Sequence, residues 1–430
     1  MIAFVKKLWS DRRGNALVIT AAMLPLVLGS AGLASDTIEW ALWKRQLQRA
    51  ADSAAMAGVY SIVQLEGVNT GVQNAVTRDL EVNSHVGITT TKNVTSSPSV
   101  GAYTSDPYAV RVALSVQKSL SFSSLFLPAA PTITVSATAT VVPSGKYCVI
   151  SLEENPVTGI TATGATSLNL GCGMITNSTS MSAAVATGSA NVTASPVAAV
   201  GGIPASNNWG TGTVLQPFSA VQADPFNDPQ GRTVNPPSGV SCSGPATRVQ
   251  NNQSENFGTD VNSVTCVTSL ELDGTSTLRG TIYVDGGSVN IGTNANITCD
   301  ECTIVLSNHD NSPTATIGNF KVDGSPQMHF TAPKSGPFEG LLIYQDRRAI
   351  DGTGANYDNK LTGSSTSYFE GAFYFPRQDL EFSGNTGMDT NCLQLVSLRV
   401  TFTGSSAITN TCPIDSGAMS FVGKRVRLVE

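Results

Sequence analysis

Cys299 and Cys302, three residues apart with Asp300 and Glu301 between them, form the spacing that most directly suggests chemistry. Such a pair carries out disulfide exchange in redox enzymes, or supplies half of a four-ligand zinc site. No helical pattern follows it here and no second pair completes a metal site, so the sequence predicts a local structural disulfide. His85, His309 and His329 stand apart in polar stretches with no Cys or second His beside them, so no zinc site is expected. Asp285, Asp300, Glu301, Asp379 and Asp389 could in principle provide the acid and base that cleave a polysaccharide. Carboxylates on surface turns explain them equally well. The aromatic run Phe373–Pro376 before Arg377 reads as core and edge rather than a sugar platform. Gly-x-Ser-x-Gly, a Gly-rich phosphate loop and His-Glu-x-x-His are all missing from the sequence. The expectation is a protein with no catalytic residues, no cofactor and no metal.

The elements that carry these residues begin with composition. A chain of 430 residues with 41% apolar side chains is long enough for two or three domains. Only 13% of residues are charged, and Gly, Ser, Thr, Asn and Ala abound, a balance typical of exported β-rich proteins. A net charge of -6 offers no general attraction to phosphate backbones. Nucleic acid is excluded as a partner, since the basic group Lys6, Lys7, Arg12 and Arg13 merely flanks an apolar run. That run, from Asn15 to Ala34, is about 20 residues without a charge, the length of a membrane-crossing helix. It exceeds the apolar core of a cleaved signal peptide. Trp9, Trp40 and Trp43 stand at its two ends, where indoles favour the membrane interface. All eight cysteines (Cys148, Cys172, Cys242, Cys266, Cys299, Cys302, Cys392 and Cys412) follow the run, as suits folding in an oxidising compartment. The N-terminus is therefore expected in the cytoplasm and the remainder in the periplasm or at the cell surface, with inner-membrane lipid as one partner.

Past the span, Leu47, Ala50, Ala51, Ala54, Ala55, Gly58 and Ile62 recur at intervals of three or four, which predicts a continuing helix. Its small-residue stripe, Ala50, Ala51, Ala54, Ala55 and Gly58, suits packing on the protein's own next domain or close association with a partner helix. Alternation at Val110, Val112, Leu114 and Val116, and again from Ile133 to Val141, predicts strands of a small α+β unit. Beyond Cys148 the chain repeats itself. Ala162-Thr163-Gly164 recurs as Ala186-Thr187-Gly188, and Leu380-x-Phe382-x-Gly384 as Val400-x-Phe402-x-Gly404. Periods of roughly 20 to 25 suggest stacked coils of a parallel β-helix, with a β-sandwich as runner-up. Equivalent positions on neighbouring coils lie about 4.8 Å apart, within reach of a disulfide. The repeats therefore pair Cys148 with Cys172, Cys242 with Cys266 and Cys392 with Cys412, leaving Cys299 for Cys302. The fold class expected is mainly β: residues 1–14 cytoplasmic, 15–34 a transmembrane helix, 35–145 its extension with a small α+β unit, and 146–430 a Cys-bearing β-helix-like domain.

Asp11-Arg-Arg-Gly-Asn-Ala16, the apolar run with Leu24-Pro25, Gly32-Leu-Ala-Ser-Asp36, and Leu47-Gln-Arg-Ala-Ala-Asp-Ser-Ala-Ala-Met-Ala-Gly58 together closely resemble the N-terminal module of TadE/TadG-like proteins of the Tad, or Flp-type, pilus assembly system. The resemblance implies an inner-membrane protein that helps assemble or anchor adhesive pili, with other Tad components as partners. Two features depart from the wider family. Pilin-like members are cut after a glycine with a glutamate five residues on, where Gly14 is followed by Ile19. Longer members carry a metal-binding Asp-x-Ser-x-Ser motif, whereas Asp310-Asn-Ser-Pro-Thr314 lacks the second serine, so no such site is expected. The alternative is a membrane-tethered β-helix adhesin or carbohydrate-acting protein with no pilus role.

Overall fold

Helix α1 runs unbroken from Asn15 to Val63, 49 residues that join the apolar run and the small-residue stripe into one rod. At 1.5 Å per residue it is about 75 Å long. The structure, a computed structural model, describes residues 15–63, 70–83, 91–228, 232–352, 359–384, 388–390, 392–405, 407–410 and 421–430. The protein is mainly β behind this helix and folds as two compact units, Met1–Val142 with Val426–Glu430, and Pro143–Arg425.

In the first unit, Leu47, Ala51, Ala54, Ala55, Val59 and Ile62 of α1 are buried against Val72 and Val76 of helix α2 (Thr70–Val82). The same cluster takes in an antiparallel sheet of β1 (Thr91–Ser96), β2 (Val110–Gln117) and the first half of β3 (Thr132–Ser151). Val110, Val112, Leu114 and Val116 face this core from β2, as do Ile133, Val135, Ala137 and Ala139 from β3, because alternate residues of a strand share a face. The pairing runs from Val110↔Ala139 to Gln117↔Thr132, leaving 118–131 as the connection between the two strands. The backbone N–H of Thr138 donates to the Glu430 carbonyl (2.8 Å), so the C-terminal residues return to β3.

The second unit is built from parallel ladders, not the antiparallel pairs of a sandwich. Ala162 pairs with Ala186 at an offset of 24, and Thr187 bonds Thr163 across the same offset. Leu380 pairs with Val400, Phe382 with Phe402 and Gly384 with Gly404. The sequence repeats are therefore the rung-to-rung offsets of the ladder. Strands Ser167–Asn169, Asn191–Thr193, Met388–Thr390 and Ala407–Asn410 form a second, four-stranded parallel sheet. Ile, Leu, Val, Ala and Phe side chains from successive rungs fill one continuous core, since each rung buries its apolar side only against its neighbours.

Rung order is not chain order. One edge of the ladder is Thr247–Val249 and Ser254–Phe257; the rungs then follow the chain through Thr275–Asp285, Asn296–Ser307 and Tyr368–Gly384 to Cys392–Gly404. Cys392–Gly404 pairs with the end of β3 and with Ile160–Ala162, and the ladder continues through Gly173–Thr176 and Val197–Ala199 to Leu215–Gln216. The chain thus enters the ladder in its middle, builds to one edge, and crosses back to the other. Residues 217–246 make that crossing.

Candidate functional site

The N-terminal module is the first candidate. Ile19, Met23, Leu24, Leu26, Val27, Leu28 and Leu33 of α1 are all exposed, Leu26 at 69%. A water-soluble helix would turn such residues inward, so α1 is long and apolar enough to cross a membrane through this stretch. Its other half is inward-facing. Ala51, Ala54 and Ala55 are fully buried within their own unit, and a Cβ on Gly58 would stand 2.9 Å from Val110 Cγ1. The helix-association reading of Ala50, Ala51, Ala54, Ala55 and Gly58 is accordingly corrected: close approach serves the sheet and α2, which already occupy that face.

The cysteines are brought together in three described pairs. Cys148 is bonded to Cys172 and Cys242 to Cys266, with Cα atoms 5.8 and 5.4 Å apart. Cys148 lies between Tyr147 and Val149, whose ladder partners Gly173 and Met174 directly follow Cys172, so this bond joins adjacent rungs. Cys299 is bonded to Cys302, and both are fully buried in the main core. Thiol exchange requires an accessible sulfur, which this position denies. Cys392 is described and Cys412 is not, so that expected pair falls outside the described residues.

The acidic residues do not converge. Asp285 accepts backbone N–H bonds from Cys242 (3.0 Å) and His309 (2.8 Å) and meets His309 Nδ1 at 2.7 Å. Burial pushes its carboxyl up, but these donors more than offset that and leave it below the usual range. Asp300 and Glu301 flank Arg279 at 3.6 and 3.8 Å, and Asp379 bonds Arg399 at 2.7 Å. The Asp389 side chain and His85 lie outside what is described, and His329 stacks on Tyr368 with ring centroids 4.5 Å apart. Among the described residues no group of His, Cys, Asp or Glu is placed to hold a metal ion.

Two polar constellations had no signal in the sequence. Arg399 reaches Glu153 (2.6 Å), Asp351 (2.6 Å) and Asp379, which are far apart in sequence although Asp379 is its partner on the adjacent rung. Burial depresses its guanidinium, and the three carboxylates more than reverse that. The second constellation holds the crossing segment down. Arg347 donates to the Phe226 carbonyl (2.5 Å), the Val234 carbonyl (2.8 Å) and the Tyr374 hydroxyl (2.9 Å), with its guanidinium over the rings of Tyr344 and Tyr374. Tyr374 in turn donates to Asp224 at 2.6 Å. Burial pushes the Asp224 carboxyl up, against the pull of that hydroxyl and of Arg347. Arg347 bonds two backbone carbonyls and Tyr374 caps a carboxylate, an arrangement that fastens the crossing segment.

These features define a mainly β protein headed by a helix able to cross a membrane. The model of a family described as putative Flp pilus-assembly TadE/G-like matches residues 14–61, which is the module carrying that helix. No curated protein and no solved structure matches the chain.

Proposed function

We propose that this protein is a single-pass membrane scaffold of Flp-type (Tad) pilus assembly, with its N-terminus in the cytoplasm and its β-rich units exported. The observation that carries the reading is that the family match at residues 14–61 coincides with the helix whose apolar side chains are left exposed. The cysteine bonds agree with export, since disulfides persist in oxidising compartments. We read the Pro143–Arg425 unit as a parallel β-helix because its ladders pair at the sequence repeat. We read its role as structural rather than catalytic, a reading supported by the arginine and backbone N–H partners of Glu153, Asp379 and Asp285. Other pilus-assembly components are its natural partners on this reading. Deleting the gene should abolish or sharply reduce surface pili and attachment, with both restored by the full chain supplied in trans. Unchanged pilus number and attachment in the deletion strain would overturn it.

A further inference from the structure

The connection between β2 and β3 is bound to α1 residue by residue, and each contact lies further toward the helix N-terminus. Gln48 Nε2 donates to the Ser136 carbonyl of β3 itself at 3.0 Å, and where the connection begins Lys118 Nζ stands 4.7 Å from the Trp43 ring. Ser121 Oγ donates to Glu39 at 3.0 Å. Asp36, only 3% exposed, accepts the backbone N–H groups of Phe122 (2.8 Å) and Ser123 (2.5 Å) and the Ser123 hydroxyl. The Phe122 ring then lies against Gly32, where a side chain would collide with it. From Trp43 to Gly32 this descent covers roughly 16 Å along the helix. It ends inside the apolar run.

At that level the connection turns through Ser123–Leu125 and presents Leu125, Phe126 and Leu127, exposed at 75%, 73% and 49%. Pro128 and Ala129 beside them are exposed as well, and no charged residue occurs between Lys118 and Lys146. Leu28 and Leu33 of α1, one turn before and one residue after Gly32, are exposed as well. A tip so apolar is disfavoured in water and favoured at a bilayer interface, where aromatic side chains concentrate.

We propose that Leu125, Phe126 and Leu127 insert into the bilayer that α1 crosses, making the β2–β3 connection a second membrane contact beside the span. The occupant is lipid rather than a protein partner because the Asp36 and Gly32 contacts fix the tip at the height of the apolar run. This rests on the membrane-span reading of α1, and the test separates the two. A photoreactive benzoylphenylalanine is placed in turn at Leu26, Leu125, Phe126 and Val100 of the full chain, reconstituted in vesicles of phosphatidylethanolamine and phosphatidylglycerol. Val100 is exposed on the loop at the opposite end of β2. After irradiation, a mass gain of one phospholipid is expected at positions 26, 125 and 126 and none at 100. Lipid adducts at 26 with none at 125 or 126, or only protein crosslinks there, would overturn the inserted tip and leave the span intact. Adducts at 100 as well would show unspecific labelling and also overturn it. No lipid adduct at 26 would refute the span, and the proposal with it.

Discussion

Tyr374 shows how one hydroxyl decides whether a buried charge is tolerable. Asp224 lies on the crossing segment and its carboxyl is pushed above the ordinary range by burial, with the Tyr374 hydrogen bond pulling the other way. A carboxyl raised in the folded state binds its proton more readily there than in the unfolded chain. Its stabilising contribution is therefore complete below the unfolded value of about 3.9 and is lost as pH rises through the folded value. Tyr374→Phe removes the donor and raises that carboxyl further, so its penalty must grow with pH. Denaturation of the variant beside the parent is expected to show a loss of about 1–3 kcal/mol at neutral pH. The gap should be smaller near pH 4, and a larger gap at acid pH would contradict this account. Nothing in the sequence pointed to this contact: Asp224 and Tyr374 are 150 residues apart, joined only once the crossing segment is laid on the ladder.

Among the elements, α1 was the most legible, because the period of Leu47, Ala51, Ala54, Ala55 and Ile62 depends only on local helix geometry. Which surface its stripe meets was not legible, since small residues favour close approach to a strand or to a helix alike. The answer yields a test at Gly58, where an added Cβ would come within 2.9 Å of Val110 and 3.2 Å of Val76. Gly58→Leu should destabilise the first unit by about 1–3 kcal/mol despite the better helix propensity of leucine. Gly29→Ala, with no atom within 4 Å of the new carbon and a better helix former in place, should not destabilise it. Equal behaviour of the two variants in thermal denaturation would mean that the α1 stripe does not pack as described. The ladder repeats were legible for the same local reason, as Ala162-Thr163-Gly164 and its copy at Ala186 fall on paired rungs. The rung order was not, because the junction Leu395↔Val149 joins strands far apart in sequence and neither carries a pattern naming the other.

At the scale of the whole chain, that unusual rung order makes the disulfides more than local staples. A ladder entered in its middle has two edges, Leu215–Gln216 and Thr247–Val249, and residues 217–246 connect them in sequence. Cys242, near the end of that journey, is bonded to Cys266 on the rung Val264–Val267, while Asp285 of the next rung accepts its N–H. Cys148–Cys172 joins β3 to the rung that succeeds it. Each closes a loop of 24 residues, which chain entropy values at about 3 kcal/mol. The same offset underlies the expectation for the remaining pair. Leu380↔Val400 and Met388↔Ile408 run at an offset of 20, the offset between Thr390 and Asn410, which also touch. Cys392 and Cys412 stand at that separation two residues further on. Mass spectrometry of non-reduced peptides from the full chain should therefore recover Cys148–Cys172, Cys242–Cys266, Cys299–Cys302 and Cys392–Cys412. Replacing Cys242 and Cys266 together by serine should free the end of the crossing segment and lower the denaturation midpoint without disturbing the other three bonds. Recovery of Cys172 joined to Cys242, or of Cys302 joined to Cys392, would show that bonds do not follow rungs, and the ladder order from Thr247 to Leu215 would lose its covalent support.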